Sequence, residues 1–361
     1  MSADFIVIVT ALLVVIPCAM LGTFLVLRQM SMMGDAISHA VLPGIVLAFF
    51  LSESLGAVTS VIGAAAFGIL TAVLVEALRN TGRVKEDSSI GIVFTALFAL
   101  GVFLISRFAG SVHLDLKHVL YGEIAFSPLN PLVLGGVNLG PRSFWTLGVV
   151  TLIVVAFVLL LYKELKISTF DAGLAAAVGF SPVLVHYLLM GVVSMTVVGA
   201  FDSVGAILVV AFLIAPAATA YLLTERLSRM MALAVAVGAA SAVSGYYIAY
   251  ALDVSVSGMM AAMCGMLFVL ALLFSPSHGL VAGVMRRRRN REVFALGLLV
   301  SRVGERTTED DLNHDLGWEP ERVSKILEGA NRNGLLLRQP SGEVSLTVRG
   351  REYAAGVETL G

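Results

Sequence analysis

Asp35 and His39 lie in the run Gly34-Asp-Ala-Ile-Ser-His-Ala-Val-Leu-Pro-Gly44, within an otherwise apolar stretch. At i, i+4 spacing a helix stacks a carboxylate and an imidazole on one face about one turn apart, within reach of a single divalent cation. An oxygen ligand beside a nitrogen ligand suits Mn²⁺, Fe²⁺ or Zn²⁺, whereas Mg²⁺ and Ca²⁺ favour oxygen alone. The same spacing also fits an internal Asp–His hydrogen bond that satisfies two buried polar groups, and spacing alone does not separate the two.

Ionisable groups inside hydrocarbon are costly and are functional candidates by default. The other conspicuous one is Asp202, in the tight join Gly199-Ala-Phe-Asp-Ser203 between two apolar runs. It is placed to contact a passing ion or to cap the helix that follows. A further polar group, His113, Asp115, His118 and Glu123, would suit cation entry from outside, although Lys117 among them favours a solvated loop.

The elements that must hold these residues are set by composition. The 361 residues are 58% hydrophobic and 14% charged, with a mean hydropathy of +0.92, which argues against a soluble enzyme. About 20 apolar residues cross a bilayer, and the candidate spans are 5–27, 34–51, 57–77, 89–106, 144–162, 182–200, 203–223, 231–252 and 256–275. About eight to nine transmembrane helices, an all-α polytopic membrane protein, is the expected fold. Arg28, Arg79, Arg83, Lys85, Lys163, Lys166, Arg226, Arg229 and Arg286–Arg289 fall on one side and only Arg107, Lys117 and Arg142 on the other. The positive-inside rule then puts the N-terminus outside and the C-terminus in the cytoplasm. The tight joins at 28–33 and 199–203 predict broken or re-entrant helices lining a cavity. Arg28, close before Asp35, places the metal pair in the inner half of the membrane unless residues 28–34 turn within the protein. Cys18 and Cys264 sit in apolar runs without ligand spacing and read as small buried side chains.

Residues 28–44, Arg-Gln-Met-Ser-Met-Met-Gly-Asp-Ala-Ile-Ser-His-Ala-Val-Leu-Pro-Gly, resemble the signature of the permease subunits of bacterial ATP-binding-cassette importers for zinc, manganese and iron. Lys85–Phe94, Val119–Ile124, Phe170–Gly179 and Val204–Ala220 are similar to further segments of that family, in the same order. The resemblance ends near residue 275. It implies a type II importer fold in the bacterial inner membrane, with a second permease subunit (the same chain or a paralogue), an ABC ATPase and an extracytoplasmic metal-binding protein as partners. It also implies that Asp35 and His39 hold the transported ion, with no permanently bound cofactor, and that Phe170, Asp171, Ala175 and Gly179 belong to the helix that docks into the ATPase. No Gly-x-x-x-x-Gly-Lys-Ser/Thr loop occurs in the sequence, so ATP hydrolysis falls to another chain. Manganese is the first expectation, then iron and zinc.

Charge divides the chain into a membrane part, 1–285, and a cytoplasmic part, 286–361. After the Arg286–Arg289 run, which marks the lipid surface, Thr308 and Asp311 have capping-box spacing. A helix opening at that box, a second helix over 319–333 after the Gly317-Trp318 break, a hairpin around Pro340-Ser-Gly, and a last helix from about Arg349 follow, a small α+β arrangement that resembles a winged helix. From Arg291 onward there are 9 basic and 12 acidic residues, a net of −3, so nucleic acid is not an expected partner. Two other functions compete with the importer. One is an ion-gradient-driven transporter in which Asp35 and Asp202 relay protons, and the other is a membrane-anchored metal sensor with the tail as its output.

Overall fold

The computed structural model describes residues 3–52, 57–108, 124–129, 131–134, 137–276, 279–304, 307–338 and 343–358. It resolves into two compact units, Met1–Pro276 and Ser277–Gly361. The division lies earlier in the chain than position 286, because Arg286–Arg289 fall inside one continuous helix, Leu280–Arg302. A charge run marks where the solvent changes, not where the packing does.

The first unit is built from long apolar helices at the nine expected positions: α1 (Ala3–Leu27), α2 (Met32–Ser52), α3 (Ala57–Asn80), α4 (Glu86–Phe108), α5 (Arg142–Leu160), α8 (Pro182–Val204), α9 (Ala206–Leu223), α10 (Leu227–Leu252) and α11 (Val256–Phe274). Two short helices, α6 (Tyr162–Phe170) and α7 (Ala172–Ala177), join α5 to α8. Among the described residues, seven of these helices are long and apolar enough to cross a membrane, and the described part of α2 forms a shorter apolar helix. In hydrocarbon each backbone N–H and C=O must bond within its own segment, and these helices do so. Their ends are set by local chemistry. Ser181 Oγ accepts from Leu184 N at the start of α8, with Pro182 in the first turn. Ser255 Oγ accepts from Gly258 N at the start of α11.

The core centres on α1, which packs against α9, α10, α5 and α8. Phe24, Leu21, Phe212, Leu208 and Leu189 are fully buried there. The outward faces are apolar too: Leu160 is 81% and Leu152 70% exposed, a surface suited to lipid. Backbones meet closely where glycine removes the side chain. A Cβ on Gly22 of α1 would sit 1.7 Å from the Leu213 carbonyl oxygen of α9, and one on Gly63 of α3 would sit 2.5 Å from the Gly44 carbonyl oxygen of α2. Small residues at crossings give membrane helices their dispersion contact where no hydrophobic drive exists between them.

Sequence reading missed a ribbon. Between α4 and α5, a 3₁₀ turn at Ile124–Leu129 leads into antiparallel strands β1 (Pro131–Leu134) and β2 (Val137–Pro141). The Gly135-Gly136 pair between two apolar runs is the hairpin signal that could have found it.

The second unit has its own core of Leu299, Val300, Leu312, Val323, Leu327, Leu336 and Val344. Helix α12 (Leu280–Arg302) is followed by β3 (Thr307–Thr308), α13 (Glu309–Leu316), α14 (Pro320–Arg332), β4 (Leu336–Arg338), β5 (Glu343–Leu346) and α15 (Val348–Glu358). The strands form an antiparallel sheet in the order β3-β5-β4. The capping box is present: Thr308 Oγ1 accepts from Asp311 N while Asp311 Oδ2 accepts from Thr308 N. Gly317 (φ 58°) and Gly334 (φ 68°) end α13 and α14 in the left-handed region that glycine adopts freely.

Candidate metal-transport site

Helix α2 positions the pair. After α1 ends, Gln29 N bonds Val26 O and Met30 N bonds Leu25 O, with Gln29 at φ 60°. This is a Schellman turn with glutamine where glycine is usual, and it reverses the chain within a few residues. Met33, Ala36, Ile37 and Ala40 are buried in the bundle, so Asp35 and His39 project from the opposite side of α2.

His39 Nε2 and Asp35 Oδ1 are 3.6 Å apart, with 34% of the His39 side chain and 36% of the Asp35 side chain exposed. That distance is beyond a hydrogen bond, so the two groups do not satisfy one another. The imidazole lies against two rings of α4, with centroid separations of 5.7 Å to Phe94 at a tilt of 33° and 5.7 Å to Phe98 edge-on. Aromatic walls on one side restrict the histidine and leave its nitrogen edge toward Asp35. Phe94 and Phe98 were not singled out from sequence, although their own i, i+4 spacing is the same signal that marked the pair.

The pair sits deeper than Arg28 implies. Phe94 and Phe98 are in the middle of α4. A Cβ on Gly68 of α3 would meet Ser194 Oγ of α8 at 2.1 Å and Ile37 Cγ2 at 3.4 Å, which sets Ile37 level with the middles of two further spans. In the turn at 28–31 Met30 is buried and Gln29 exposed, and α2 runs from it to the level of the middles of α3, α4 and α8. Among the described residues no group of three or more His, Cys, Asp or Glu side chains could hold a metal ion. Asp35 and His39 thus offer two candidate donor groups, one oxygen and one nitrogen.

Asp202 lies in the last turn of α8, which continues to Val204. Gly205 (φ 80°, ψ 159°) alone separates α8 from α9 and serves as N-cap without a side-chain bond. The capping role considered for Asp202 is thus excluded by the backbone, since the helix passes through it. His113, Asp115, His118 and Glu123 lie outside the described residues.

The expected docking segment is divided. Phe170 ends α6, and Asp171, extended at φ −150°, caps α7 by accepting from Leu174 N at 2.8 Å. Gly179 (φ 95°) ends the segment in the left-handed region. Ala175 is fully buried, while Phe170, Leu174 and Val178 are 53–60% exposed. Three large apolar side chains of this segment, at a part of the fold outside the nine long helices, are thus left exposed among the described residues. The bonds that tie distant segments also group the helix ends. Arg28, after α1, bonds Ser168 and Thr169 of α6, and the Tyr187 hydroxyl near the start of α8 donates to Glu76 Oε2 near the end of α3 at 2.6 Å. Tyr246, toward the end of α10, donates to Asp4 at the start of α1.

The chain matches the sequence profile of the ABC 3 transport family over residues 4–275. It is 50% identical over 286 residues to the manganese transport system membrane protein MntD of Bacillus subtilis, covering 79% of this chain and 97% of that protein. It is 43% identical over 341 residues to the zinc transport system membrane protein TroD of Treponema pallidum, covering 92% of this chain and 93% of that protein. The family profile ends at residue 275, where the resemblance is expected to end, while the match to TroD takes in more of the chain than the first unit supplies. In fold, the chain is similar to a chain of PsaBC from Streptococcus pneumoniae in complex with Fab, with a TM-score of 0.63 and 35% identity over 77% of this chain and 94% of that one.

Proposed function

Since the chain belongs to the ABC 3 transport family of membrane permeases, we propose that it passes manganese, with zinc and iron as further cargo, through the Asp35–His39 pair. It is the multi-pass membrane subunit of an ABC manganese/zinc transport system and not itself the ATPase. The observation that carries the site is the pair itself. A carboxylate and an imidazole stand level with the middle of α4, 3.6 Å apart and partly open. A divalent ion placed between them gains the oxygen and nitrogen donors that Mn²⁺ and Zn²⁺ accept. Water, backbone carbonyls or the equivalent pair of a second permease subunit, identical or paralogous, complete the shell.

The preference for manganese rests on the similarity to MntD, which exceeds that to TroD. An ABC ATPase and a metal-binding protein are the partners of such a permease. We place the ATPase on Phe170, Leu174 and Val178, with Asp171 and Gly179 fixing the ends of α7 and Ala175 seating it. The basic residues Arg28, Arg79, Lys163 and Lys166 support a cationic inner side by the positive-inside rule, and on that reading the N-terminus is outside and the second unit is in the cytoplasm, in the bacterial inner membrane. The second unit, winged-helix-like in its order of helices and hairpin, is read as a docking or regulatory module, since its net acidity disfavours DNA.

Metal uptake into proteoliposomes holding the assembled complex, with each cation in turn and with or without internal ATP, tests this reading. Uptake driven by an ion gradient without ATP would overturn it in favour of the gradient-driven transporter. Metal-responsive behaviour without uptake would favour the sensor.

A further inference from the structure

The same helix end that presents Phe170 is bonded to the turn that launches the metal helix. Arg28 Nε donates to Thr169 Oγ1 at 3.1 Å and Arg28 Nη2 donates to Ser168 Oγ at 2.8 Å. Both hydroxyls are already committed: Thr169 Oγ1 donates to the Leu165 carbonyl at 2.6 Å and Ser168 Oγ donates to it at 3.4 Å. Leu165 is fully buried. A guanidinium fork therefore closes on two oriented acceptors at the end of α6, and each hydroxyl polarises the next bond in the chain.

At the other end of Arg28 the backbone has little freedom. Arg28 N still bonds Phe24 O, Gln29 is held left-handed, and Met33 N bonds Met30 O. A displacement of Arg28 must therefore carry the Schellman turn and the first turn of α2 with it, and that turn contains Asp35. A cavity of about 420 Å³ lies beside the fork, bounded by Arg28, Gln29, Glu76, Thr169, Pro182 and His186, so α6 has room to move on that side. Packed cores respond to such shifts by switching between discrete arrangements, not by continuous deformation.

We infer that Arg28 is a positioning residue that links the ATPase-docking segment to the Asp35–His39 pair, so that movement of α6 and α7 is delivered to α2 through the Arg28 fork on Ser168 and Thr169. This rests on the docking role proposed above for Phe170. In the linked state a shift of α6 tilts the base of α2 and changes the separation and exposure of the pair. Without the fork, α6 moves and α2 does not follow.

The test uses the full complex in proteoliposomes and reads metal transported per ATP hydrolysed, together with ATPase affinity and thermal stability. Arg28→Ala should lower the transport ratio by about tenfold, within the usual range of coupling between sites, while ATPase affinity stays unchanged. Arg28→Lys, which reaches only one hydroxyl, should recover part of the ratio. Ser168→Ala with Thr169→Val removes the acceptors and keeps the cation, so it reads the fork even if Arg28→Ala fails to fold. It should match Arg28→Ala, and combining the two should add nothing. Additive losses, an unchanged ratio in the acceptor variant, or a weakened ATPase affinity that accounts for the effect would each overturn the proposal. Phe170→Glu, scored by ATPase affinity alone, decides the docking role separately.

Discussion

His39 Nε2 faces Asp35 Oδ1 across 3.6 Å, one turn up the same helix, with Phe94 and Phe98 closing the far side of the imidazole. Had the two been at hydrogen-bond distance, each would satisfy the other and a bound ion would have to break that bond. At the observed distance the charge of Asp35 and the imidazole edge are both open to a third group.

Replacing either residue removes one of the two candidate donor groups of the pair. Asp35→Ala and His39→Ala should each reduce metal uptake by at least the roughly 10–100-fold that metal sites lose with an outer-shell partner. Assembly with the ATPase should be unaffected. Co-purification and radiometal uptake measure the two separately, and near-normal uptake in both variants would reduce the pair to a structural feature.

A carboxylate placed among the exposed apolar side chains of the docking segment would be buried unpaired on docking. Phe170→Glu and Leu174→Glu should each weaken ATPase association by about 2–4 kcal/mol, since a buried uncompensated charge is costly at an interface centre. Titration of the ATPase onto the permease in nanodiscs gives the number. Unaltered affinity in both variants would make α7 an ordinary connection.

Gly22 has no room for a side chain, because a Cβ there would lie 1.7 Å from the Leu213 carbonyl oxygen. Gly22→Ala must push α1 from α9 and should cost at least the 1–3 kcal/mol or so of overpacking. Gly265, with nothing within 4 Å of its Cβ position, provides the control: Gly265→Ala should leave the melting temperature unchanged or raise it slightly, since alanine is the better helix former. Comparable melting of the two variants would show that α1 and α9 are not held as described.

The Asp311 carboxyl is held below the usual carboxylate range, first by the Thr308 hydroxyl and then by the Thr308 backbone N–H. A depressed folded value stabilises α13 fully above the ordinary carboxylate pKa of about 3.9, and this is lost as pH falls through the folded value. Amide protection over Glu309–Leu316 in the full chain, corrected for the intrinsic exchange rate at each pH, should therefore fall on acidification below about pH 4. Asp311→Asn should flatten that response, and an unchanged response would assign it to other groups.

Removing the second unit should spare transport. Truncation after Pro276, where the compact units divide, should leave ATP-dependent uptake detectable and alter its dependence on cytoplasmic metal or the stability of the complex. Complete loss of uptake in a truncated chain that still binds its ATPase would make the unit part of the transport machinery.

Sequence by itself determined the helices, because about 20 apolar residues in a row have only one low-energy solution in hydrocarbon. It also determined the Asp35–His39 candidate, because i, i+4 spacing fixes a shared face before any tertiary contact forms. The Thr308–Asp311 capping box was legible for the same reason: its bonds span three residues. Tertiary structure decided what depends on neighbours distant in the chain. The position of the pair level with the middle of α4 follows from Phe94, Phe98 and Gly68 on other helices, against the inner position implied by Arg28. The role of Asp202 as a cap failed because α8 runs on to Gly205, and helix ends within apolar runs carry no change of composition. The Arg28 fork joins positions about 140 residues apart, and no local spacing encodes it, since only packing α1 beside α6 brings a guanidinium to two hydroxyls.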